Sequence, residues 1–437
     1  MTGFAPLATD APSQAQTRTL HATDRRMILF YSSVMILIIA FVSPTGLSVI
    51  PLSFVLKNKL HLSANGVASF ALLSGVPWYV SFAFGTVRDF WNPFGLGDRG
   101  YFILFGFTAS LLLCAFAFAP VSESMLFAAS ILSGIAFILL FAAWNGLGST
   151  LGREHAMSGQ LSAVWNIAGT AALVIGLTVG GVLSDRLETM SAAGAVRTLF
   201  LILAAFMALI AVLGFWQPRA VFAGLSGESR EHRHLAADLL RLVRHWPIYP
   251  ALIIWLLWNF SPATQTVLQY YLSNTLHASD AQWGAYNAIS SLSFVPVYVL
   301  FGFLSPRYSL KRLLWWGTLI GIPQVIPLLF VHSANDVLFT AVLIGLMGGV
   351  CTAAYFDLII RACPKGLEGT LMMLSWSLYA LAGNLGNWWG TDLYDHHGGF
   401  FACVVATTIV YALILPTLLL VPRELTATAD GEVDSGR

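Results

Sequence analysis

Apolar stretches of about 20 residues recur along the whole chain, each long enough to cross a bilayer as a helix. Short polar links separate them. No other feature restricts the fold as strongly. Charged residues make up only 10% of the chain and hydrophobic ones 57%, whereas a soluble domain carries about 25% charged residues. That supply cannot build a surface that faces water. A chain in lipid must satisfy its backbone internally, so the expected class is an all-α, polytopic membrane protein with the lipid bilayer as its first partner. Twelve transmembrane helices are predicted, at 27–54, 66–87, 100–120, 124–150, 158–184, 197–216, 247–272, 283–304, 311–331, 337–361, 369–392 and 399–421.

The links are unequal in charge. With the N-terminus in the cytoplasm, eighteen of the 22 Lys and Arg residues fall on that side, and only Lys57, Lys59, Arg186 and Arg197 on the other. This satisfies the positive-inside rule and places both termini in the cytoplasm, as expected of a multi-pass protein of a bacterial inner membrane. Residues 1–26 lack the apolar core and cleavage site of a signal peptide and read as a disordered tail; 423–437 read as a second tail. The longest link, 217–246, places Leu235, Leu239, Leu242, Val243 and Trp246 on one face of an amphipathic helix lying on the inner surface. His232 and His234 there belong to a solvated basic face. Cys114, Cys351, Cys363 and Cys403 are scattered free thiols without metal spacing. No metal or cofactor is expected. A formal charge of +1 argues against nucleic acid as a partner.

The two halves echo one another. VPWYVSFAFG (76–85) matches VPVYVLFG (295–302) with a two-residue gap. Ser43-Pro44 answers Ser261-Pro262, LHLS at 60–63 answers LHAS at 276–279, and SGQL at 158–161 answers EGTL at 368–371. The order is constant and the offset is about half the chain. Half the chain holds six helices, an even number, so both copies face the same way. Two parallel six-helix bundles, 27–216 and 247–422, joined by the linker 217–246, form the arrangement of major facilitator transporters.

The link after the second helix, in PWYVSFAFGTVRDFWNPFGLGDRGYF (77–102), carries the charges of a latch. Gly85 permits close helix approach, Asp89 accepts charge-assisted hydrogen bonds, and Arg88 or Arg99 donates them. Its counterpart after the eighth helix, GFLSPRYSLKR (302–312), contains Arg307. Both links resemble the cytoplasmic signature of the major facilitator superfamily. The first resembles more narrowly the folate–biopterin transporter family, through Pro77, Trp78, Gly85, Asp89, Pro93, Gly95, Arg99 and Tyr101. DLIIRACPKGLEGTLMMLSWSLYALAGNLG (357–386) resembles the same family through Cys363, Pro364, Gly366, Glu368, Asn384 and Gly386. The resemblance implies a secondary transporter that works by alternating access, with a gate that breaks as the bundles rock. The chain departs from the family at Ser81, where a Lys is common, and at Gly97-Asp98, where two Arg are adjacent. Both departures remove cations that an anionic folate would need.

Charge is almost absent at mid-depth, where ion and proton paths would show it. Asp357 and Arg361 lie one turn apart near the inner end of the tenth helix, spaced for an i, i+4 pair; structure, gating and ion coupling are open roles for them. Uncharged polar groups are plentiful beside tryptophan: Trp144-Asn145, Trp165-Asn166 and Trp258-Asn259, then Gln265 and Gln269 on the face of Trp258, and Trp376, Asn384 and Asn387 in the eleventh helix. Interhelical bonding and interfacial anchoring explain any one of them. Taken together they suit a shared site in which indole faces stack and amides pair with a flat heterocycle or another neutral polar solute. Pro44 with Pro262, and Pro77 with Pro296, are expected to kink the two bundles alike, and Gly176, Gly180 and Gly181 to serve close packing. The substrate is a small molecule, the coupling ion is open, and a monomer is the expected working unit. The alternative is an integral membrane enzyme acting at the lipid–water interface with Asp392, Asp395, His396 and His397.

Overall fold

The computed structural model describes residues 22–62, 64–222, 240, 242–264, 266–278, 280–333 and 336–430. Every regular element among them is helical. The first bundle opens with Ala22–Val42, which breaks and resumes as Val49–Phe54. The second span is divided into Ala64–Ser74, Val76–Tyr79 and Ser81–Phe90. Spans three to six are single helices, Asp98–Ala117, Glu123–Glu154, Ser158–Glu188 and Ala192–Phe215. In the second bundle, span seven is Ile248–Asn259 followed by Thr266–Asn274, and span eight is Asp280–Leu304. Span nine is Leu310–Gly321, tightening into the 3-10 turns of Ile322–Phe330. Spans ten to twelve are Asp336–Ala362, Glu368–His396, and Gly399–Ala412 with Ile414–Leu419. Nine of these spans are unbroken enough, long enough and apolar enough to cross a membrane by length and composition among the described residues. The second and seventh fall short because they are broken, and the eleventh because its C-terminal half is diluted by Asn384, Asn387 and Asp392.

The packing is two-fold. Span three packs on four and six, as nine packs on ten and twelve; one packs on five, as seven on eleven; two on four, as eight on ten. Between the bundles the pairs are two with eleven and five with eight, then four with eleven and five with ten. Each is the image of its partner under an exchange of halves. The loops place Arg88, Arg99, Arg153, Arg307, Arg361 and Lys365 at one end of the molecule, called here the basic end, and Lys57, Lys59, Arg186 and Arg197 at the other.

The sharpest symmetry lies at the breaks in spans one and seven. A backbone that leaves the helix inside a membrane must be covered by protein. At the first break, a Cβ added to Gly176 would sit 3.0 Å from the Leu47 nitrogen, and one on Gly180 2.7 Å from the Leu47 oxygen. At the second, a Cβ on Gly386 would lie 2.8 Å from the Ser261 nitrogen, and one on Gly390 2.2 Å from the Pro262 oxygen. Only glycine lets spans five and eleven close over the broken segments. Gly181 faces open space, so the close-packing role belongs to Gly176 and Gly180.

Several expectations are corrected. The first helix begins at Ala22 rather than at residue 27. Span seven does not run on through Gln265 and Gln269, because Pro262 and its neighbours interrupt it; Gln265 lies outside the described residues. Pro77 opens a short separate turn, whereas Pro296 sits inside an unbroken helix, so those two prolines do not act alike. Of the amphipathic linker, residues 223–239 and 241, with His232 and His234, lie outside the described residues. Within the rest, Leu242 enters the core of the second bundle while Val243 and Trp246 are exposed. Residues 421–430 are packed rather than free, with Thr426, Ala429 and Asp430 buried.

The glycine pairs give a direct test. Gly390→Val is expected to cost about 1–3 kcal/mol by overpacking and to lower the thermal unfolding temperature of the detergent-solubilised protein. Gly181→Val is expected to leave it unchanged.

Candidate functional site

Two clusters bridge the bundles. The first is aromatic. Trp144 and Trp165 stack with centroids 5.9 Å apart and planes at 16°. Phe141 reaches Trp376 at 5.5 Å, and Trp165 reaches Phe356 at 5.6 Å and Trp376 at 6.5 Å. Asn145 is fully buried among them. Its amide nitrogen donates to the Phe141 carbonyl at 2.8 Å, and its oxygen accepts from the Trp376 indole at 3.0 Å. Asn145 lies nine residues inside the basic end of its helix, about 14 Å at 1.5 Å per residue. The plug is neutral and built from both bundles. Below it, Ser32, Trp144, Ser149, Trp165, Phe356 and Met372 enclose a space with room for about one water.

Spans two and eleven part on the far side of this level. Gly369, Met373 and Ser377 face span two: Ser81 donates to the Met373 carbonyl at 3.1 Å and lies 2.9 Å from the Ser377 hydroxyl. The same face of span eleven is exposed one to three turns further on, at Leu381, Asn384 and Trp388. Exposed Gln269 and half-buried Asn259, Asn166 and Asn387 also lie outside the plug. Three of the amides follow one rule. Asn166 donates to Ser162 and Asn259 to Trp255, as Asn145 does to Phe141, each four residues back. The donor is satisfied within its own helix and the oxygen is left to accept. Asn387 instead accepts from the Thr266 backbone at 3.2 Å and steadies the restart of span seven.

Trp258 does not join the cluster. It donates to Thr352 at 3.1 Å and packs on Tyr355 and Tyr411 inside the second bundle. Trp255, one turn earlier, takes the place expected for it, against Phe356 and Tyr379.

The second cluster is charged and lies at the basic end. Gly85 is pressed onto span eleven, where a Cβ would come within 2.3 Å of the Gly369 oxygen. Asp89 accepts from the Gly369 amide at 2.9 Å, the Thr370 amide at 2.6 Å and the Thr370 hydroxyl at 2.7 Å. A carboxylate of one bundle thus caps the first helix turn of the other. Arg88, 3% exposed, holds Asp89 at 2.9 Å and grips Asp98 through two bonds of 2.7 and 2.6 Å. Arg153 crosses to Glu368 and to the Cys363 carbonyl. Its image is Arg361, which bonds Ser158 at 3.0 Å and pairs with Asp357 at 2.9 Å.

The expected latch is corrected at two residues. Arg99 turns away to the Gly214 and Phe215 carbonyls at the end of span six, and Arg307 is exposed. Sequence reasoning had no place for Arg153 and Asp430, and did not pair Asp98 and Glu368 with their arginines. The 158–161 and 368–371 echo was the available signal, since it marks both helix starts. At the far end, Asp392, His396 and His397 are exposed, and no group able to hold a metal occurs among the described residues.

Residues 36–387 match the model of the Major Facilitator Superfamily. The chain belongs to that superfamily. Among curated proteins it is similar to the folate-biopterin transporter of Synechocystis sp., 25% identical over 415 residues that cover 86% of this chain and 78% of that protein. Among solved structures it is similar to the facilitator FucP in the outward conformation, with a TM-score of 0.69, 14% identity, and 91% and 99% of the two chains covered. It is also similar to the proton:xylose symporter XylE bound to 6-bromo-6-deoxy-D-glucose, with a TM-score of 0.63, 14% identity, and 93% and 98% covered. The protein is a multi-pass facilitator and a secondary transporter; the comparisons lend no support to the membrane-enzyme alternative.

In this facilitator Arg88 neutralises several buried carboxylates. Arg88→Ala is expected to cost about 3–5 kcal/mol, the usual effect of stranding buried charge. Arg307→Ala, at an exposed position, is expected to stay within about 0.5 kcal/mol. Chemical denaturation in detergent measures both.

Proposed function

We propose that this facilitator carries a small, flat, uncharged solute of the pterin type, bound at the midplane between Trp144, Asn145, Trp165 and Trp376. The observation that carries the reading is the composition of the plug. Four indole or amide groups from both bundles meet there without a charge, and indole faces stack on a conjugated ring while amides match its donors and acceptors. Asn166, Gln269 and Asn384, set beyond the plug on the parted side, are proposed to meet the solute as it enters. The name of the Synechocystis relative, folate-biopterin transporter, supports a heterocycle. Ser81 weighs against an anionic one: where the family commonly has a Lys, this chain has a fully buried hydroxyl sealed against Ser377.

The proposed orientation puts the basic end in the cytoplasm of a bacterial inner membrane, with a monomer as the working unit. The gate around Asp89 is then the closed cytoplasmic gate, and the parted far side faces outward. Gly85, Arg88, Asp89, Asp357 and Arg361 form the gate, while Asp357 stands as an ion-pair partner with no coupling role assigned.

Two measurements test this. In a thermal-shift screen of biopterin, folate, xylose and a nucleoside on purified protein, biopterin is expected to stabilise most. Asn145→Ala and Trp165→Ala should each weaken that binding about tenfold or more, as expected for losing a buried bond or ring contact worth 1.4 kcal/mol or more. Normal binding in both variants places the solute elsewhere. In proteoliposomes, Asp89→Asn should cut flux at least about tenfold while leaving binding intact; unchanged flux removes Asp89 from gating.

A further inference from the structure

The gate has two halves related by the internal repeat, and the second half lacks its acid. Gly85 aligns with Gly302, so the counterpart of Arg88 is Ser305 and that of Asp89 is Pro306. The helix start that the missing acid would cap is Ser158-Gly159-Gln160, the counterpart of Glu368-Gly369-Thr370. That start is nonetheless capped. Asp430 accepts from the Gly159 amide at 3.2 Å and the Gln160 amide at 2.9 Å, with the Ser158 hydroxyl at 3.5 Å. Arg361 donates to it at 2.9 Å, in the role that Arg88 plays for Asp89.

The segment carrying Asp430 is built into the gate. The Asp430 amide donates to the Ser305 carbonyl at 3.0 Å, and Arg361 donates to the Thr428 carbonyl at 2.9 Å. Gly159 leaves room for the carboxylate: a Cβ there would lie 2.9 Å from it and 2.6 Å from the Ser305 Cβ. We propose that Asp430, delivered by the segment after span twelve, is the missing acid of the second gate half, and that this segment is a releasable clasp holding the basic end shut. Asp89 stands on a transmembrane helix and moves only with its bundle. Asp430 hangs on about ten residues of chain, so it can leave the helix start without any span moving. The clasp gives the closed state an independent control point, beyond the transport reading and separable from it.

The surroundings make the clasp sensitive to protons. Asp430 is faced by Asp357 and Arg361 of span ten, by the start of span five, by Ser305, and at one remove by Arg25, which bonds the Gln160 side chain at 2.8 Å. Burial, then the charge of Asp357, push its carboxyl up to about 6. A docked carboxyl with a raised pKa binds its proton more tightly than a released one. Docking is therefore strongest at low pH and weakens as pH rises through about 6.

Hydrogen exchange of the full-length protein in detergent, without substrate, tests the clasp. Asp430→Ala and Asp430→Ser, which remove the carboxyl, are expected to speed exchange at the Gly159 and Gln160 amides about tenfold or more, with unfolding temperature retained in at least one of the two. Unchanged exchange in both overturns the proposal. The wild-type protein supplies a test that needs no variant to fold. From about pH 7.5 to about pH 5, protection at those amides should rise about tenfold beyond the intrinsic pH dependence of exchange; flat protection also overturns it. Because no solute is present, failure here is distinct from failure of the pterin reading.

Discussion

A carboxylate of one bundle sitting on the bare amides of a helix start in the other is the interaction on which this structure depends. The first turn of a helix has unpaired N–H groups and partial positive charge, so it binds an acid well when water is excluded. Asp89 uses this on span eleven and Asp430 uses it on span five. Neither contact is strong in the sense of a packed core. Burying the acids is costly, and only the arginines Arg88 and Arg361, with the helix amides, offset it. That balance suits a gate: the contacts hold while complete and lose their advantage together once water enters.

The aromatic plug is built on the opposite principle. Trp144, Trp165, Trp376 and Asn145 close the path without charge, so opening it strands no ion in hydrocarbon. A neutral plug above a charged gate divides the labour of the path. Under the proposed function, the charged cluster sets which end is shut, and the plug offers the surface that a flat solute takes over ring by ring. The broken spans one and seven, held by the glycine pairs 176/180 and 386/390, give both bundles the same bend next to this level.

Much of this was legible in the sequence. Hydropathy marked the spans because lipid tolerates little else, and the internal echoes at 76–85, 158–161 and their partners exposed the two-fold plan. The pairing of Arg88 with Asp89 and the close approach at Gly85 followed from residue type and spacing. What escaped depended on contacts between distant segments. Asn166 and Asn259 looked like interhelical donors, but a carbonyl four residues back satisfies each. Trp258 and Trp255 are one turn apart, and periodicity alone does not say which faces the cavity. Arg99 and Asp98 are neighbours, and the helix start at Asp98 points the acid inward and the arginine out. A polar segment following the last span reads as a tail, since nothing local reveals that Asp430 meets a helix start 270 residues earlier.

The central claim is that the two bundles exchange openings about the midplane, with the capped helix starts holding the basic end. Pulsed electron spin resonance with label pairs at exposed positions measures this directly, one pair at Leu96 and Tyr308 on the basic end and another at Met190 and Phe330 on the far end. Removing both caps with Asp89→Asn and Asp430→Ala is predicted to lengthen the basic-end distance and shorten the far-end one. Two distances that stay fixed, or that lengthen together, contradict the account.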